Sequence, residues 1–207
     1  MKIKLYYRPG TCAIAPYLAL EEAGADYEVI DVSGRPEFLL TINPRGRVPA
    51  LEVDGTVLVE NTAILYFIAR AFPDAKLLPP GLMQEAQCIS TAAWFASMLH
   101  VNYRRFLKPS IYGADPAAHA DISEQGRIHY LHDLEEIEQR LGRTPWMQGD
   151  RFSFADLYGL VFVEWAETSG LLDPKLRHIR AWKARVIQRP AVRRVLEKTG
   201  NILLKSA

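Results

Sequence analysis

Of the two cysteines in this chain, Cys12 stands where a thiol is expected to react. The strand-like run Lys2-Ile3-Lys4-Leu5-Tyr6-Tyr7 breaks at Pro9-Gly10 and a helical run follows, which aims the Cys12 side chain at the first turn of a helix. The amide N–H groups left unpaired at a helix start, with the positive end of the macrodipole, favour thiolate over thiol and lower the pKa. The competing reading is a small buried apolar residue, since free cysteine is among the most buried residue types. Cys88 reads as core packing. His119, His129, His132 and His178 show no metal-ligand spacing, and neither a phosphate-cradling glycine loop nor a Ser-His-Asp constellation can be assembled. No metal and no nucleotide is implied.

The elements that must position this thiol are legible from pattern. Tyr6 and Tyr7 fall on opposite faces of the first strand, so only one can look toward Cys12. From Asn43 to Asn61 the chain reads as a loop, a short strand, a turn, a second strand and a helix start. Asp54-Gly55 between two short apolar runs is a strong hairpin signal, and Asn61 is a good N-cap for the run Thr62-Ala63-Ile64-Leu65-Tyr66-Phe67-Ile68-Ala69. The order is βαβ followed by ββα. Proline and glycine between Phe72 and Gly81 then interrupt the pattern in the manner of a linker. Beyond it strand signals vanish, and helical spacing of apolar residues runs over 83–112, 116–141, 155–169 and 174–186. Ser153-Phe154-Ala155-Asp156 opens the most apolar of these helices as an acid variant of the capping box.

Composition fits a globular protein with a substantial core. The 207 residues are 49% hydrophobic, enough for one large or two modest domains. Lysine plus arginine number 25 against 24 acids, a net charge of +1, which gives no global reason to expect nucleic acid or an acidic membrane as partner. Two distant cysteines without a Cys-x-x-Cys pattern argue for a reducing compartment. With neither an apolar signal region nor a stretch of membrane-spanning length, the expected location is cytoplasmic.

In this order and spacing, the strand carrying Tyr7, the Pro9-Gly10-Thr11-Cys12 turn, the Asn43-Pro44-x-Gly46-x-Val48-Pro49-x-Leu51 segment and the acidic residue before a helix start resemble the thioredoxin-like domain of cytosolic glutathione transferases. The Ser153–Asp156 cap and the closing run Ile187-Gln188-Arg189-Pro190-Ala191-Val192 extend the likeness into the helical half. A cysteine at the helix start is similar to the bacterial beta class. The resemblance implies an α/β plus all-α molecule, with a thioredoxin-like domain on a mixed four-stranded sheet over residues 1–78 and an all-helical domain over 84–207. It implies glutathione as co-substrate, a homodimer, no metal, and neither nucleic acid nor membrane as partner.

Position by position, the family places Cys12 beside the glutathione sulfur, where it can also form a mixed disulfide. Cys12-Ala13-Ile14-Ala15 lacks a second thiol, so only monothiol chemistry is left. Val48-Pro49 matches the family's cis peptide bond, with the Val48 backbone presented to the cysteinyl part of glutathione. The α-carboxylate of the γ-glutamyl end falls at the Asn61 and Thr62 amides, and Glu60 answers the α-ammonium. Arg35, Arg45 and Arg47 are candidates for the second carboxylate. Tyr7 is expected as a neighbour of the thiol, and Tyr6 in the core. His100 matches the class histidine and, titrating near neutrality, could donate a proton or hold a water. Val101 and Ala93 depart from the class pattern. Phe95, Tyr103, Phe106 and Trp165 are candidate walls of an electrophile pocket.

The implied activity is transfer of the glutathione thiolate to hydrophobic electrophiles, with thiol-disulfide exchange through Cys12 as an accessory. A non-catalytic binding or regulatory protein of the same fold is the alternative. A glutathione-dependent isomerase of the maleylacetoacetate type fits less well, because that group carries Ser-Ser-Cys followed by arginine where this chain has Gly10-Thr11-Cys12-Ala13.

Overall fold

Alternation along the first strand sorts its side chains between two cores. In the computed structural model, which describes residues 1–204, β1 (Ile3–Tyr7) sends Ile3, Leu5 and Tyr7 into the main core and Tyr6 to the opposite face with Val32, Leu39 and Ala50. The chain crosses over through α1 (Ile14–Glu22) to β2 (Tyr27–Asp31), which pairs parallel to β1. After α2 (Pro36–Ile42), β3 (Ala50–Val53) pairs antiparallel to β1, and β4 (Thr56–Val59) to β3. The sheet order is β2-β1-β3-β4. Asp54 and Gly55 both hold positive φ, 48° and 85°, as a two-residue turn whose twist matches its strands requires. The α3 helix (Asn61–Ala71) then buries Ile64, Leu65 and Ile68. This is the mixed four-stranded βαβ-ββα unit expected from the sequence.

The helical half contains α4 (Leu82–Trp94), a π-helical turn at Phe95–Leu99, α5 (His100–Leu107), α6 (His119–Leu141), α7 (Phe154–Thr168), α8 (Arg177–Ile187) and α9 (Pro190–Thr199). The single helix expected over 83–112 is therefore interrupted. Its late end is cut by Pro109, since the residue before a proline is driven out of the helical region and Lys108 sits at φ −139°, ψ 65°. Two helices escaped the sequence reading: α2, only seven residues long, and α9, whose Pro190 start and buried Val192, Val195 and Leu196 are a helix-start signal and an apolar stripe in plain sight.

The two halves share one core because α7 has no solvent face. Every residue from Phe154 to Ala166 is buried, the mark of a helix packed on all sides. The Ser153 N–H and hydroxyl both donate to Asp156 Oδ2, at 2.9 and 3.2 Å, while Asp156 Oδ1 accepts from the Met147 N–H and the Trp182 indole. The cap thus also ties α8 and the preceding loop to α7. Against this wall packs α1, held from the other side by α9 through a two-bond Arg189–Glu22 pair and an Arg194–Glu21 bond at 2.7 Å. Cys12, just ahead of α1, is carried to the seam between the halves.

Candidate active site

A cleft of about 920 Å³ opens along that seam. One wall comes from the sheet half: the turn Gly10-Thr11-Cys12, the Arg45–Pro49 loop and the start of α3 at Glu60, Asn61 and Thr62. The facing wall comes from α5 and α7, with His100, Tyr103, Phe106, Tyr158 and Trp165. Most of the residues singled out by sequence reasoning meet here. Arg35, Tyr7 and Phe95 do not.

Arg35 is exposed at the start of α2, with its guanidinium 4.1 Å from the centre of the Phe38 ring, away from the cleft. Tyr7 points into the shared core, edge-on to Tyr17 at 5.7 Å, and its hydroxyl is pushed up to about 12, first by burial and then by Glu164. It is a packing residue between the halves, whereas Tyr6, expected in the core, is buried with its hydroxyl donating to Glu52 at 2.6 Å. Phe95 is fully buried, packed on Tyr158 and Phe162 behind the cleft surface.

The thiol behaves opposite to expectation. Cys12 is 6% exposed, and burial pushes its pKa up to about 12, with the Asn61 side chain, the Cys12 backbone N–H and Arg104 opposing in that order. Helix-start stabilisation fails here for a local reason. The amides of Ile14 and Ala15 already bond to Thr11 and Cys12 carbonyls, and the Ala13 N–H donates to Thr11 Oγ1, so few donors are left to face the sulfur. At neutral pH Cys12 is an S–H group.

Asn61 is not the cap of α3. Glu60 holds that place with a left-handed φ of 72°, a conformation that costs a non-glycine residue energy and recurs at functional sites. Asn61 is the first helical residue, and its Nδ2 donates to the Cys12 carbonyl at 3.1 Å. That bond fixes which way the amide faces and leaves Oδ1 buried without a partner. A buried acceptor lacking a donor is costly, and its position beside the thiol makes it a ready acceptor for an arriving ligand. Glu60 pairs instead with Arg45 at 3.0 Å in the open.

Val48 precedes a cis bond to Pro49 and lies before the first ladder pair of β3, at Ala50; its N–H and C=O are not committed to the sheet. On the facing wall, His100 opens α5 directly after the π-helical turn. Burial, then the positive charges of Arg104 and Arg47, push it down to about 4, so it is neutral near pH 7 rather than poised there. Its ring stands edge-on to Trp165 at 5.2 Å, and Trp165 in turn stacks on Tyr103 at 4.7 Å. The Tyr103 hydroxyl is 2.7 Å from Ser169 Oγ. These rings pack into an aromatic wall whose Tyr103–Trp165 pair is stacked. No group of three or more metal-ligating side chains exists among the described residues.

Comparison with known proteins agrees with this geometry. Residues 1–70 match the model of the glutathione S-transferase N-terminal domain and residues 111–190 that of the C-terminal domain. Glutathione S-transferase GstA of Escherichia coli O157:H7 is 30% identical, the alignment covering 96% of this chain and 99% of that protein. The chain belongs to the glutathione S-transferase family. Among solved structures, a glutathione transferase homologue from Sulfitobacter with bound glutathione superposes with a TM-score of 0.87 at 29% identity, covering 95% of this chain and 98% of that one. A bacterial beta class enzyme from Sphingomonas chungbukensis gives 0.84 at 32% identity over the same shares.

Sequence reasoning singled out neither Tyr158 nor the cleft-lining cations Arg8, Arg104 and Lys108. Tyr158, on α7, is buried yet lines the cleft next to Cys12 and Asn61. Burial, then Cys12, raise its hydroxyl pKa, while Asn61 lowers it. Within an unbroken apolar helix nothing marks Tyr158 apart from its neighbours; only the packing of α7 against the α1 start aims it at the thiol.

Proposed function

We propose that this chain binds glutathione along the sheet-side wall and directs its sulfur at electrophiles held against the α5 and α7 wall. The observation that carries the reading is the convergence, in one cleft, of the α3 N-terminus, the uncommitted Val48 backbone and the Cys12–Asn61–Tyr158 group. The Asn61 and Thr62 amides take the α-carboxylate, Glu60 takes the ammonium while keeping its pair with Arg45, Val48 pairs with the cysteinyl backbone, and Arg47 takes the second carboxylate. The glutathione sulfur then lies by Cys12. A neutral S–H there, with the Tyr158 hydroxyl, donates hydrogen bonds to a thiolate and favours that form of the co-substrate. The thiolate forms the new carbon–sulfur bond, the electrophile loses its leaving group, and the thiol proton passes to solvent. His100, uncharged, serves as a hydrogen-bonding neighbour of the electrophile. Disulfide exchange through Cys12 is a slow side activity, because it requires Cys12 itself as thiolate.

The functional units are taken as 1–78 and 84–207, the last three residues lying outside those described. The working form is a cytoplasmic homodimer. Leu82, Met83 and Met98 stand exposed along α4 and the π-helical turn, and no helix among the described residues is long and apolar enough to cross a membrane.

Calorimetric titration of reduced glutathione, alongside turnover of chlorodinitrobenzene, tests the reading. Binding between about 10 μM and 1 mM, or −7 to −4 kcal/mol, with conjugate formation supports it. Absence of both heat and turnover overturns it in favour of a non-catalytic member of the fold.

A further inference from the structure

The charge lining the cleft exceeds what glutathione needs. Five cations, Arg8, Arg45, Arg47, Arg104 and Lys108, face it against a single carboxylate, Glu60, in a chain whose net charge is only +1. Glutathione brings two carboxylates and one ammonium. Arg45 is already paired with Glu60, and Arg47 on the sheet-side wall meets the second carboxylate. Arg8, Arg104 and Lys108 are left, and among the described residues none of these side chains has an ion pair or hydrogen bond. Three unpaired cations around one concave surface repel one another, an arrangement that an anion in the cleft relieves.

Their placement is not that of a generic helix end. His100 and Arg104 stand four residues apart on α5, which on a helix is one face, Lys108 follows as the residue that ends the helix, and all three line the cleft together with the aromatic rings of Tyr103, Phe106 and Trp165. Arg105 is the contrast: adjacent in sequence and equally able to answer the macrodipole, it lies over Tyr112 instead and does not line the cavity. Arg104 reaches far enough inward to lower the pKa of both Cys12 and His100.

Building on the glutathione reading above, we propose that the physiological electrophile is itself anionic: a flat aromatic or unsaturated body against the Trp165–Tyr103 wall, bearing a carboxylate held by Arg104 and Lys108, with Arg8 closing the rim from the opposite side. A neutral hydrophobic electrophile uses the rings and leaves the cations unanswered. A carboxylate uses both, and on a bidentate guanidinium it fixes the ring's orientation toward the sulfur.

The test uses binding, so that it does not depend on turnover. Two glutathione conjugates are titrated into the intact protein, one carrying a carboxylated nitrophenyl group and the other its carboxamide isostere. The carboxylate is expected to bind about tenfold more tightly at low ionic strength, the gap closing as salt is raised. The double variant Arg104→Gln, Lys108→Gln brings the ratio to within about twofold, Arg104→Lys with native Lys108 keeps most of it, and Arg180→Gln, an exposed cation on α8, leaves it unchanged. Equal affinity for the two conjugates in the native protein, or a preference that survives the double variant, overturns the proposal. If the conjugates bind equally while glutathione itself still binds, only the anionic electrophile is lost; if glutathione fails to bind, the parent reading falls with it.

Discussion

At the residue scale, the fate of Cys12 is decided by a contest between helix start and burial, and burial wins. The prediction is direct. With a pKa pushed up to about 12, reaction of Cys12 with a disulfide reagent rises about tenfold per pH unit between roughly pH 6 and 9 without levelling, because only the thiolate reacts. A plateau setting in below pH 8, measured in the Cys88→Ala background, would mean an activated thiolate and would sink this account. A second prediction concerns Asn61, whose Nδ2 bond to the Cys12 carbonyl joins α3 to the turn. Asn61→Ala leaves that carbonyl with the Ala15 N–H alone and is expected to cost about 0.5–1.5 kcal/mol in urea unfolding, together with weaker glutathione binding by calorimetry; a variant as stable as the parent refutes it. Val48 was reached through the family resemblance, whereas the Cys12 turn and, to within one residue, the start of α3 at Asn61 were legible because turns and helix starts are written locally. The state of the thiol was not, since desolvation comes from α7 residues far along the chain. Tyr158 was invisible for the same reason.

At the scale of elements, α5 carries the chemistry of one wall, and its placement rests on a glycine. Gly126 of α6 is buried where α5 crosses; an added Cβ there would lie 2.5 Å from the Phe106 backbone nitrogen and 2.8 Å from the Asn102 carbonyl oxygen. In an isolated helix Gly→Ala gains up to about 1 kcal/mol. Here the contact atoms are backbone, so the helices must separate, breaking into the buried Asn102–Asp133 hydrogen bond of 2.8 Å. Gly126→Ala is therefore expected to destabilise by about 1–3 kcal/mol and to weaken binding at the cleft by displacing His100 and Arg104. An unchanged melting temperature would show that α5 and α6 have room to give. The sequence displayed α6 by its apolar spacing, yet its close approach to α5 is a pairwise property that no single-helix pattern contains. The π-helical turn is similar: Phe95–Leu99 reads as ordinary helix, and only the structure shows the extra residue per turn that rotates His100 relative to α4.

For the whole molecule, the pH dependence of stability runs through Glu164. This α7 carboxyl is buried between β1 and the carboxy-terminal segment, accepts from Asn201 Nδ2 at 2.9 Å, and is pushed up to about 7, chiefly by burial. Asp156 is likewise pushed up to about 6, and His100 down to about 4. A carboxyl with a raised pKa binds more protons folded than unfolded, so its contribution is complete below the unfolded value and is lost as pH rises through the folded one. A histidine with a lowered pKa does the reverse: stability is retained above its unfolded value and lost as pH falls toward the folded one. Between about pH 4.5 and 7 these slopes oppose each other; the histidine falls silent in both states only above about pH 7.5, and Glu164, with the highest folded value, sets the sign above about 6.5. Stability should therefore fall from about pH 6.5 to 8, by roughly half a kcal/mol. Glu164→Gln keeps an oxygen for Asn201 and cannot ionise. Relative to the parent it should gain stability steadily from pH 5 to 8, by on the order of 2 kcal/mol in all, in urea unfolding at fixed ionic strength. Parallel profiles for parent and variant across that range would show that the carboxyl is not the titrating group.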